Sequence, residues 1–150
     1  MKKLIMAVIA VLAAICLMVG FVGCNVKKGT IGYYLKQEGY GKPYRIIIAE
    51  SGYSSHIDFV EDEKDINTLY KFFSPIECEQ MSYEEFQSSG CFLTSGMWVE
   101  FCYEGIAITI AVRENGVADF IVGGNVYLTK ENAVDYAVLI ENIERMGIKF

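Results

Sequence analysis

Residues 106–113 alternate without a break, with Ile106, Ile108, Ile110 and Val112 on one side and Ala107, Thr109, Ala111 and Arg113 on the other. A period of two places the β-branched residues on one face of a strand. Turn signals stand at both ends: Glu104-Gly105 before the run and Glu114-Asn115-Gly116 after it. The stretch Gly96–Gly124 therefore reads as a three-stranded antiparallel meander over Met97–Tyr103, Ile106–Arg113 and Val117–Val122.

Register follows from the turns. A two-residue loop at Glu104-Gly105 pairs Tyr103 with Ile106, Phe101 with Ile108 and Val99 with Ile110, apolar against apolar. At the second turn, a two-residue loop would set Val112 against Asp119. A three-residue loop, with Gly116 left-handed, sets Val112 against Ala118, Ile110 against Phe120 and Ile108 against Val122. A slip of one residue sends every side chain to the other face, so the three-residue loop is the expected one. The inner face is then Val99, Phe101, Tyr103, Ile106, Ile108, Ile110, Val112, Ala118, Phe120 and Val122. The outer face carries Trp98, Glu100, Cys102, Ala107, Thr109, Ala111, Arg113, Asp119 and Ile121, and is less polar than a fully solvated one.

The first 25 residues carry the most specific motif. Lys2-Lys3 precedes Leu4–Val22, a run free of charge, and Phe21-Val22-Gly23-Cys24 follows. This resembles a bacterial lipoprotein signal peptide: Val22 and Gly23 match the lipobox, and Cys24 stands where the family's diacylglycerol-bearing cysteine stands. The resemblance implies cleavage before Cys24 and a lipid-anchored chain on the extracytoplasmic side of the cell membrane. A second reading stays open. The apolar run is longer than a signal core and close to the roughly 20 residues that span a bilayer, so a retained membrane helix also fits. The expected division is a signal peptide over 1–23, an anchor and tether over 24–43, and one domain over 44–150.

The 150 residues carry a net charge of −6, and without residues 1–23, which hold two lysines and no acid, the remainder carries −8. Nucleic acid is excluded as a partner on that balance, because binding it begins with phosphate neutralisation. The charge is also divided. From Asn25 to Arg45 the net is +4, and from Ile46 to Phe150 it is −12. The basic stretch is expected either to lie along anionic headgroups or simply to keep a linker solvated. With Gly29, Gly32, Gly39 and Gly41 it reads as a tether, and Tyr33-Tyr34-Leu35 as a candidate short strand. Tyr33, Tyr34, Tyr40, Tyr44 and Tyr53 are expected to pack on the sheet edge or sit at the headgroups.

Strands are expected at Tyr44–Glu50, His56–Val60, Ile76–Met81 and Val126–Leu128, with a last edge strand at Ile148–Phe150. Asp62 is expected to cap a helix whose buried stripe is Ile66, Leu69, Tyr70 and Phe73, ending at Pro75. One helical turn is read within Ser82–Ser89. Thr129 is expected to cap a final helix, with Leu128 and Ala133 as a hydrophobic staple and an inward stripe of Tyr136, Leu139, Ile140, Ile143 and Met146. Gly147 ends it. The fold class expected is α+β, an antiparallel sheet of five to seven strands with two helices packed on one face.

Few residues suggest chemistry. An export signal makes a disulfide feasible, and Cys78 and Cys91 are the natural pair because they flank one loop region. Cys102 reads as a small packed hydrophobe. Without a C-x-x-C pair no metal site is indicated, and the acidic run Glu61–Asp65 lacks calcium-loop spacing. No cofactor motif is present. His56, the sole histidine, would need a Cys or carboxylate beside it to act. Two function classes remain. The leading one is a non-catalytic, lipid-anchored binding module that meets an unidentified protein or small ligand through the outer face around Trp98, Cys102 and Ile121. That face is the contact surface unless the tether or N-terminal strands cover it. The alternative is a small extracytoplasmic hydrolase using His56 with a Cys or carboxylate.

Overall fold

The computed structural model describes residues 28–50, 57–88 and 96–149. Among them the chain forms, in order, β1 (Lys28–Thr30), α1 (Ile31–Gln37), β2 (Arg45–Glu50), β3 (Ile57–Val60), α2 (Glu63–Phe73), β4 (Glu77–Met81), α3 (Tyr83–Ser88), β5 (Met97–Tyr103), β6 (Ile106–Val112), β7 (Ala118–Val122), β8 (Asn125–Thr129) and α4 (Tyr136–Arg145). The strands make one antiparallel sheet in the order β1-β4-β8-β7-β6-β5-β2-β3. The class is α+β as expected, but the sheet has eight strands rather than five to seven, and four helices accompany it rather than two.

The meander forms in the expected register. Tyr103 faces Ile106, Phe101 faces Ile108 and Val99 faces Ile110, while Val112 faces Ala118 and Ile110 faces Phe120. Gly116 has φ +76°, and a Cβ there would lie 2.5 Å from the Val134 carbonyl oxygen. The turn needs glycine twice over, for its left-handed backbone and for the close approach of the loop before α4. That loop is pinned to the turn by bonds from Asn132 N–H to Asn115 O and from Val134 N–H to Gly116 O. The inner face is buried except at the β5–β6 tip, where Ile106 is exposed and Tyr103 half-buried. Ile106 adjoins the turn at the tip of the hairpin.

Three helices supply that cover. Asp62 caps α2 by accepting from the Lys64 and Asp65 N–H groups, and Ile66, Leu69 and Phe73 are buried. Leu139 and Ile143 of α4 join the same core, with Tyr136, Ile140 and Met146 packed at its margin. Phe101 sits beneath α2, its ring 5.9 Å from Phe73 at 80° and 6.1 Å from Tyr70. The short α3 stands apart: its buried Phe86 lies outside this core, and the helix adjoins β8.

Several expectations are corrected. Residues 28–37 are not a tether. They form β1 and α1, with Thr30 capping the helix through Tyr33 N–H, and Ile31, Tyr34 and Leu35 fully in the core. Those three recur at i, i+3 and i+4, one helical stripe, so the segment gains by docking rather than by staying solvated. Tyr34 packs at a tilt 4.2 Å from Tyr127, which stacks at 4.9 Å on Phe120. Gly32 is there for close packing: its N–H donates to Ser74 O, and a Cβ would fall 3.0 Å from that oxygen. Tyr40 is packed, Tyr33 and Tyr44 are exposed, and Tyr53 lies outside the described residues.

Thr129 does not cap a helix. It ends β8, buried, with its hydroxyl accepting from Ala118 N–H at 2.7 Å where the ladder stops. Asp135 caps α4 instead, through Val138 N–H. The staple of Leu128 and Ala133 is lost with that cap. Ile148 and Lys149, expected in a last edge strand, are not in one, and Phe150 lies outside the described residues. Gly147 N–H bonds Glu144 O and Ile148 N–H bonds Ile143 O, a Schellman closure that folds Ile148 into the core.

Candidate binding face

The outer face is built by the same alternation that fills the core. Trp98 and Glu100 project from β5, Ala107, Thr109 and Ala111 from β6, and Asp119 and Ile121 from β7. Together they line a shallow cavity of about 470 Å³. Trp98 is 39% exposed and Ile121 50%. The structure thus brings together two of the three residues expected on the contact surface. The third, Cys102, is buried. Its cross-strand partner is Arg45 on β2, and the nearby Cys102 thiol helps to raise the pKa of the Arg45 guanidinium. That guanidinium also lies 5.4 Å from the Phe59 ring and 3.8 Å from Glu61. Beyond Arg45 the edge strand β3 leaves Ile57 and Phe59 exposed, so the apolar character of this face continues past the cavity.

The polar groups are placed by register. Thr109 donates to Glu100 at 3.3 Å from the facing position. Arg113 lies diagonal to Asp119 across β6 and β7 and forms an ion pair with it, both side chains largely buried. Burial pushes the Asp119 carboxyl up to about 6, against the pull of Arg113 in the other direction. Alternation alone does not single out this pair among the outer-face polar residues, although the three-residue loop at Gly116 already sets it up. A floor of alanines, an indole edge and carboxylates at one side suit a ligand that presents an apolar surface with a few polar groups.

The remaining candidate residues fall elsewhere. Cys24, His56 and Cys91 lie outside the described residues. Cys78 is buried on the opposite face from Trp98, with a free thiol pushed up to about 12 by burial. It borders a second cavity of about 480 Å³ between β1, β4 and the loop after β8, rimmed by Lys28, Glu77, Glu79, Lys130 and Glu131. Among the described residues no group of three or more His, Cys, Asp or Glu side chains is placed to hold a metal ion. No helix among them is long and apolar enough to cross a membrane.

Three residues of the basic stretch, expected either to lie on headgroups or to keep a linker solvated, pair with the domain's own acids. Lys28 pairs with Glu79 at 3.0 Å, Lys42 with Glu63 at 2.8 Å and Arg45 with Glu61. Part of the charge division along the sequence is therefore met within the fold, while Lys36 stays exposed. Neither the family models, nor the curated proteins, nor the solved structures contain a match to this chain.

Proposed function

We propose that this chain is a lipid-anchored, non-catalytic binding module on the extracytoplasmic side of the cell membrane, and that it meets its ligand or partner through the outer sheet face around Trp98 and Ile121. The observation that carries the binding surface is the asymmetry of the sheet. Its inner face is covered by α1, α2 and α4 except at the β5–β6 tip, while on the opposite face, where α3 adjoins β8, Trp98 and Ile121 stay open at the rim of one cavity. Large exposed aromatics on a concave, partly polar surface are more frequent at interaction sites than elsewhere. The anchor rests on the Val22-Gly23-Cys24 motif. The hydrolase alternative has no geometry behind it: His56 is outside the described residues, and both described thiols are buried.

Two measurements test the reading. Metabolic fatty-acid labelling is expected for the full chain and absent from Cys24→Ala, which should accumulate as precursor; labelling that persists in the variant removes the anchor. A photo-crosslinking residue at Ile121, in cells, is expected to give discrete adducts that are lost with Trp98→Ala. The same residue at Asn67, on α2 across the core, should give none. Equal adducts from both positions, or none from Ile121, would sink the binding face.

A further inference from the structure

The cross-strand row that contains Trp98 crosses the whole sheet, from Ile57 at one edge through Trp98, Ala111, Asp119 and Leu128 to Lys28 at the other. Strands lie about 4.8 Å apart, so Trp98, five strands from Lys28, stands about 24 Å from it along the sheet, and Ile57 about 34 Å. Lys28 is the first described residue and opens the edge strand β1. It comes only four positions after Cys24, and a fully extended chain of that length reaches at most about 14 Å. From Val22, where a retained membrane helix would end, the reach is about 21 Å.

We propose that the β1 edge is the membrane-facing end of the domain, and that the Trp98 face is held within about 45 Å of the lipid surface. This rests on the proposed anchor, in either its lipid or its helix form. The leash cannot be lengthened by peeling β1 and α1 off the domain. Ile31, Tyr34 and Leu35 are core residues, and Lys42 and Arg45 are engaged by Glu63 and Glu61. Immediately after β1, α1 exposes Tyr33 and Lys36. An aromatic beside a basic residue is the pairing favoured at the headgroup level. The partner that uses the Trp98 face must then be bound to the same membrane or reach down to it. The face is out of range for one fixed at the far side of a wide envelope.

Trp98 is the sole tryptophan, which makes it a built-in fluorescence donor. The test uses the full chain in its anchored form, reconstituted in phosphatidylcholine vesicles carrying a small share of dansyl-labelled headgroups. Energy transfer to the lipid surface is measured for the natural chain and for Trp98→Phe combined with Tyr33→Trp, which moves the donor to the β1 end. The second donor is expected to transfer at least twice as efficiently. A twenty-residue Gly/Ser insert after Asn25 adds a root-mean-square span of about 25 Å and should lower both signals. Equal transfer from the two donors, or stronger transfer from Trp98, overturns the orientation. Sedimentation with the vesicles after a salt wash reads anchoring by itself. A chain that stays bound with equal donors refutes the orientation alone, and a chain that washes off refutes the anchor and the orientation together.

Discussion

Truncating Phe101 tests the register on which the whole outer face depends. The ring is fully buried, and it meets Phe73 edge-on and Tyr70 at a tilt. Phe→Ala at such a site removes transfer free energy and leaves a cavity, together about 3–5 kcal/mol. Each aromatic pair adds about 0.5–1.5 kcal/mol beyond area burial, which places Phe101 in the upper half of that range. Its neighbour Glu100 faces the other way, where its carboxylate accepts from Thr109 at 3.3 Å. Glu100→Ala should stay within about 0.5 kcal/mol. The assay is urea denaturation of the chain from Asn25 onward, with the slope checked for constancy so that a shifted midpoint reads as stability. In a parallel thermal scan, Phe101→Ala should lower the melting temperature by well over 6 °C, at roughly 2–8 °C per kcal/mol. Comparable losses at the two positions, or a larger one at Glu100, would mean that the faces are assigned the wrong way round.

Three further outcomes are expected. Tyr34→Ala should cost about 3–5 kcal/mol in the same denaturation assay, because the N-terminal helix is part of the core; a change under about 1 kcal/mol would restore the tether. Gly116→Ala should destabilise by at least about 1 kcal/mol, since it forces a side chain into a left-handed turn and against Val134 O; an unchanged midpoint would refute the close approach. Asp119 has its folded pKa raised to about 6 from 3.8, so the folded state binds the proton more tightly and the contribution is fully present below pH 3.8. It is lost as pH rises through 6, by on the order of 2–3 kcal/mol. Glu63 and Glu85, whose carboxyls are held below the usual range, act in the opposite direction in both proteins. The stability of the natural chain relative to Asp119→Asn should therefore fall by this amount between pH 3.5 and 7; a pH-independent difference would refute it.

What the sequence disclosed and what it hid separate along a physical line. The meander was legible because its turns and its alternation are local and agree with each other. The same holds for α2, whose cap and stripe lie within twelve residues. The α1 helix was hidden because its stripe is only one turn long and sits among four glycines that read as flexibility. One of them, Gly32, is instead a contact point with Ser74, on a segment forty residues away. Thr129 misled for a related reason: a threonine ahead of a helical pattern looks like a cap, but the partner of its hydroxyl is a strand eleven residues earlier. Trp98 and Ile121 could be placed on the open face by counting. The burial of Cys102 could not, because its neighbour Arg45 arrives from β2 through a pairing that no local signal announces.

The order of strands also governs when each part of the chain can become structured. The run β5-β6-β7-β8 closes through short turns, and every pairing in it is available as soon as its own residues are. The N-terminal strand is the opposite case. It pairs only with β4, and β4 completes its other side on β8, so residues 28–30 wait for residues up to 129. Closing a loop of that length before any contact rewards it is slow, and it places β1 and α1 among the last elements to dock. Until they do, the ring of Tyr127, itself stacked on Phe120, lacks the cover of Tyr34. A chain shortened from its C-terminus into β8 would therefore lose the fold of β1 and α1 as well as its own last strand, and pulsed hydrogen exchange should find the amides of α1 among the latest to be protected.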